Sequence, residues 1–140
     1  MSDLIGGGAL PVQPVPTSSL MVTFAVPPKD ICDLMITFVE GGGAYWCDLF
    51  EVFKVGPDSE RTKVSYQEPA SYEGEWVIEV TEDEQSDPEH GRLYEITPVK
   101  LATAFAALPD RLGQLLREEW DAETADVVVQ QAAFGEIVYG

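Results

Sequence analysis

Three consecutive glycines, Gly41-Gly42-Gly43, divide two stretches whose apolar residues follow different periods, and the chain folds around that division. Before them Ile31, Leu34, Met35, Phe38 and Val39 fall at i, i+3, i+4, i+7 and i+8, one stripe of a helix. After them an aromatic-rich segment, 45–55, carries apolar groups in both phases of an alternation, as a central strand does. The glycines predict a helix end and a chain reversal through positive φ, with Tyr45 and Trp46 just beyond it. They also expose backbone N–H groups, which makes Gly41, Gly42, Gly43, Tyr45 and Trp46 a candidate binding turn. Tyr45 shares its face with Cys47, Leu49 and Phe53, so Tyr45 is expected inside and Trp46 outside.

The remaining elements read in order from their periods and punctuation. Residues 1–19 hold Gly6-Gly7-Gly8 and prolines 11, 14 and 16, the composition of a flexible leader preceding a single domain over 20–140. Leu20, Val22, Phe24 and Val26 alternate and predict a strand over 20–26, stopped by Pro27-Pro28. Pro28 then opens the helix expected over 28–40. Further strands are expected at about 61–66, 75–80 and 92–96, separated by turn-forming residues such as Gly56-Pro57-Asp58-Ser59. Thr97-Pro98 is a helix start, and Pro109 should break the apolar pattern that runs over 98–117. Asp121 is an N-cap for a last helix over 122–134, which Gly135 ends. The apolar terminus after it should pack back on the body. Together these predict an α+β fold: an antiparallel sheet of four to five strands with about three helices mainly on one face.

Charge constrains the partners. In 140 residues, 25 acids stand against 8 bases, a formal net charge of −17, while a hydrophobic fraction of 45% is that of a folded chain. Such a surface repels nucleic acid and anionic membrane and attracts basic partners. Two acidic groups stand out as a candidate partner surface: Glu82, Asp83, Glu84, Asp87 and Glu89 in the middle loop, and Asp121, Glu123 and Asp126 around the last helix. The loop lacks the alternate spacing of a calcium site.

Catalytic chemistry finds little footing. His90 is the only histidine, and no nucleophile motif, P-loop or dinucleotide glycine pattern is present. Cys32 and Cys47 have no metal-ligand or redox spacing, so neither metal nor cofactor is expected. No stretch has the length of a membrane span or the pattern of a signal peptide, and a cytoplasmic protein is expected.

Two blocks, Glu40-Gly41-Gly42-Gly43-Ala44-Tyr45-Trp46 and Asp121-Ala122-Glu123-Thr124-Ala125-Asp126 with Gln130 and Phe134-Gly135-Glu136-Ile137-Val138-Tyr139-Gly140, resemble small uncharacterised proteins of bacteriophages and other bacterial mobile elements. The resemblance implies an origin more than a mechanism. Joined to the charge, it implies a non-enzymatic protein that binds a basic surface of a bacterial host protein, as a host-defence inhibitor or DNA mimic. The alternative is a small-ligand binder that holds a nucleotide-like molecule at the Gly41–Trp46 turn.

Overall fold

In the computed structural model, which describes residues 18–43, 45–83 and 92–140, four strands form one antiparallel sheet. They are β1 (Cys47–Val55), β2 (Arg61–Val64), β3 (Trp76–Glu82) and β4 (Leu93–Ile96), in the order β2-β1-β3-β4. The long strand β1 is central, as its two-sided apolar pattern predicted. Val52 faces Val64 on one side and Ile78 on the other, and Ile78 faces Ile96. That row, with Trp76 and Val80, lies in the core beneath the helices. Lys54 shares the strand phase of Val52, and its ammonium reaches out to the carbonyls of Ala70 and Glu73 instead of being buried unpaired.

The opposite sheet face carries a row of three facing carboxylates, Glu51, Glu79 and Glu95. Like charges so placed repel. The two bases of β2 offset this: Arg61 lies 2.8 Å from Glu79 and 2.6 Å from Glu95, and Lys63 lies 2.9 Å from Glu51. The Arg61 hydrogen bond holds the Glu95 carboxyl below the usual carboxylate range.

Helices cover the core face. α1 (Pro28–Thr37) starts at a proline in its first turn and buries Ile31, Cys32, Leu34 and Met35. α2 (Pro98–Ala107) is capped by the Thr97 hydroxyl, which accepts the Lys100 N–H at 3.2 Å. Pro109 ends that helix and opens α3 (Pro109–Leu116), so the pattern over 98–117 becomes two helices. α4 (Ala122–Phe134) matches its expected bounds, with the Asp121 carboxylate accepting the Thr124 N–H at 3.0 Å and Gly135 ending it at φ +79°. It touches α1, α2 and β4, and it is buried around most of its circumference.

The expected first strand is absent. Residues 19–27 form no regular structure and leave Leu20, Met21, Val22 and Phe24 in solvent. An alternating pattern becomes a strand only where a neighbour supplies hydrogen bonds, and no edge pairs with these residues here. The leader over 1–17 and the acids Glu84, Asp87 and Glu89 lie outside the described residues.

Candidate functional site

At the end of α1 the helix widens into a π-turn, Phe38–Gly42, closed by the Gly43 N–H donating to the Phe38 carbonyl at 2.8 Å. Positive φ is not what the glycines provide: none of Gly41, Gly42 and Gly43 adopts it, and Gly43 lies at φ −109°. They provide close approach. A Cβ on Gly42 would sit 2.6 Å from the Ala122 carbonyl oxygen, and one on Gly43 would sit 2.1 Å from the Phe38 ring. The turn is therefore pressed against the first residues of α4.

Gly42→Val should accordingly cost about 1–3 kcal/mol, because the clash is with backbone that no rotamer relieves. Gly41 has only an ordinary contact, with Ala122 Cβ at 3.8 Å, so Gly41→Ala should be neutral or slightly stabilising. Denaturant midpoints of the two variants check this. Equal losses would show that backbone freedom, not contact, sets the glycine requirement.

The two aromatic residues after the turn are placed opposite to expectation. Trp46 is fully buried and Tyr45 is 53% exposed. The expectation took the wrong face of β1 as the inner one: Phe50 and Val52 face the core, Leu49 and Glu51 lie on the outer face, and Trp46 falls in step with Phe50 and Val52. The Trp46 and Cys47 N–H groups both donate to the Gly43 carbonyl, at 3.2 and 2.9 Å, and the indole lies inside. There its ring stacks on Tyr139 at 5.4 Å and meets Phe134 and Phe38 at 5.1 and 5.5 Å.

Asp126 holds this arrangement together. Its carboxylate is buried and accepts from Trp46 Nε1 at 2.7 Å, Gln130 Nε2 at 2.9 Å and the Tyr45 hydroxyl at 2.5 Å. The Tyr45 ring meets solvent while its hydroxyl turns inward; desolvation, then the Asp126 bond, pushes that phenol up to about 12. Gln130, also buried, uses both ends of its amide. Its oxygen accepts the Val138 and Tyr139 N–H groups at 2.8 Å each, and its nitrogen reaches the Tyr139 carbonyl at 3.2 Å. This ties the chain terminus to α4. The Tyr139 hydroxyl donates to Glu82, which is buried at the end of β3.

Two residues assigned to an acidic surface are therefore structural. Glu82 and Asp126 are buried acceptors, and neither faces a partner. Asp126 was misplaced because a single buried stripe through Val128 puts it on the far side of α4, whereas this helix is enclosed on that side too. A sequence signal existed: Asp126 and Gln130 stand one turn apart, the spacing at which two polar groups on a buried face satisfy each other. Of the other predicted acids, Asp121 and Glu123 are exposed and Asp83 is half-buried. The two sequence blocks that carried the resemblance are thus the two halves of one joint.

Beside the turn lies a cleft of about 310 Å³ lined by Phe38, Val39, Gly43, Cys47, Asp48, Leu49 and Phe50. A bulge in β1, where Cys47 and Leu49 pair with the adjacent residues Glu82 and Thr81, shapes its mouth. The Cys47 thiol there is pushed up to about 12 by burial and then by Asp48, which leaves it a poor nucleophile near neutral pH. Among the described residues no group of three or more His, Cys, Asp or Glu is placed to hold a metal ion, and no helix is long and apolar enough to cross a membrane. Comparison with protein-family models, curated proteins and solved structures finds no match for this chain.

Proposed function

We propose that this chain is a non-enzymatic binding protein whose acidic surface engages a basic surface on a bacterial host protein. The feature that carries this reading is the corner between α3 and α4. Glu118, Glu119, Asp121 and Glu123 are all exposed there, within six residues. Glu118 turns the corner at φ +56°, a backbone conformation that costs a side-chain-bearing residue energy and sets these carboxylates outward. Arg117 pairs with Glu119 and Arg111 with Glu123, so negative charge remains in excess. Trp120 packs against the core in the middle of the run and anchors it.

A rigid acidic ridge of this kind complements basic grooves, including those that hold nucleic acid, and steers association over the Debye length. An inhibitor of a host defence protein, or a DNA mimic, carried by a phage or another mobile element accords with the resemblance of the two motifs. The cleft beside the π-turn supports the second reading, a small-ligand binder. That reading has lost two of its supports: the Gly43 N–H is already bonded, and Trp46 is buried.

Capture from bacterial lysate separates the two. The acidic reading expects basic proteins that bind at about 0.01 M salt and are lost at about 0.15 M, as the Debye length falls from about 30 to about 8 Å. Glu118→Gln, Glu119→Gln and Glu123→Gln together should remove them while leaving the Asp121 cap and the fold intact. Identical captured proteins in wild type and variant would overturn it. A small molecule released by heat and detected by mass spectrometry would favour the cleft.

A further inference from the structure

The segment after Pro16 and before Pro27 carries a strand pattern that the described fold does not use. Leu20, Met21, Val22 and Phe24 are 88%, 70%, 63% and 62% exposed, a run of apolar surface rather than scattered single residues. No hydrogen bond joins residues 19–26 to the rest of the described chain. Only Val26 is anchored, against the core beside α1.

The same chain holds a strand edge with unused hydrogen-bonding groups. The Gly56 N–H donates to the Glu60 carbonyl, which makes that pair, and every second pair after it, the bonded ones between β1 and β2. Arg61 and Lys63 fall in the alternate positions, so their N–H and C=O groups point away from β1. None of these four groups bonds to another described residue. The other sheet edge differs. The outward Glu95 carbonyl of β4 is already taken by the Lys100 ammonium at 3.1 Å, and the chain turns into α2 directly after Ile96.

We infer that residues 20–25 of one copy add as a strand to the β2 edge of a second copy, and that the protein is a strand-exchanged dimer. The alternation suits that place. Leu20, Val22 and Phe24 would continue the face of Thr62 and Val64 toward the core, and Met21, Thr23 and Ala25 would lie beside the Arg61 and Lys63 stems. Prolines on both sides limit the pairing to this length. Charge selects the same contact. Bodies of net charge −17 repel, but Leu4 to Pro28 has no charged residue and β2 carries two of the three bases of the sheet. An uncharged arm laid on an edge whose bases compensate the neighbouring carboxylates joins two acidic bodies without apposing their carboxylates. Reciprocal exchange closes by two-fold symmetry, since each copy supplies one arm and one edge.

Light scattering after size exclusion, across a concentration series, tests this. Wild type should approach twice the chain mass of 15.3 kDa, more readily as added salt screens the repulsion. Val22→Pro removes an N–H and disrupts the arm where it touches nothing in its own fold. Lys63→Pro removes an outward N–H at an edge position where proline is tolerated. Each variant should be monomeric with an unchanged circular-dichroism spectrum. An equimolar mixture of the two should recover dimer, because one retains the edge and the other the arm. A wild type that stays monomeric at every concentration overturns the inference, including the case in which the arm folds onto its own edge. So does a dimer that survives Val22→Pro or Lys63→Pro.

Discussion

Replacing Trp46 with alanine should lower the unfolding free energy by about 3–5 kcal/mol, a large share of what a domain of this size possesses. The indole is fully buried and packs among Phe38, Phe134 and Tyr139. Its removal leaves a cavity bounded by four separate parts of the chain: the π-turn, the start of β1, the end of α4 and the terminus. Only the start of β1 among these is held by sheet pairing. Chemical denaturation with circular-dichroism detection should therefore show both a lower midpoint and a broadened transition as the terminus loosens first. A variant that kept the wild-type midpoint would show the indole to be dispensable for folding. Trp46→Phe should retain most of the packing and lose mainly the hydrogen bond to Asp126.

What was legible in the sequence were the features set by neighbours along the chain. Asp121 and Gly135 fix the ends of α4 because a cap and a left-handed stop act within a few residues. Pro109 splits α2 from α3 for an equally local reason. The four strands and the α+β class followed from period and punctuation. What was not legible depends on contacts between distant residues. The pattern at 20–26 satisfies every local rule for a strand, yet pairing is a property of the edge it meets, and within the described fold it meets none. The glycine requirement was real, but its cause, the Ala122 carbonyl approaching Gly42, lies 80 residues away along the chain.

The candidate site shows the same division. Tyr45 and Trp46 were found together with the turn that carries them, but which ring points inward depends on which face of β1 the helices cover, and they cover the face of Phe50 and Val52, with which Trp46 falls in step. Asp126 reads as a solvated acid when α4 is drawn as a surface helix with one buried stripe. It becomes a buried acceptor once the π-turn packs on the second side. Net charge was readable from composition, whereas its distribution was not. Glu82 and Asp126 are taken into the interior, while Glu118, Glu119, Asp121 and Glu123 stand exposed together at the α3–α4 corner.

Asp126→Ala should be nearly as damaging as loss of the indole, although it removes only a small side chain. The carboxylate is the acceptor for Trp46 Nε1 and Gln130 Nε2, both buried, and for the Tyr45 hydroxyl. A buried donor left without its acceptor costs about 1–3 kcal/mol, so two such donors place the loss at about 2–6 kcal/mol. The half-exposed Tyr45 adds less, because water can replace the carboxylate at its hydroxyl. Asp126→Asn should be milder: with its amide oxygen in the place of Oδ1 it still accepts both buried donors, and its NH₂ faces the Tyr45 hydroxyl, which can accept in turn. The joint also predicts coupling. In a double-mutant cycle, Asp126→Ala combined with Trp46→Phe should cost less than the two single losses added, by about 1 kcal/mol or more, since the second change removes a donor that the first left unsatisfied. The cycle is read from denaturant midpoints at constant slope. Strict additivity would mean that Asp126 and Trp46 act independently and that the carboxylate is not what holds the turn, α4 and the terminus as one unit.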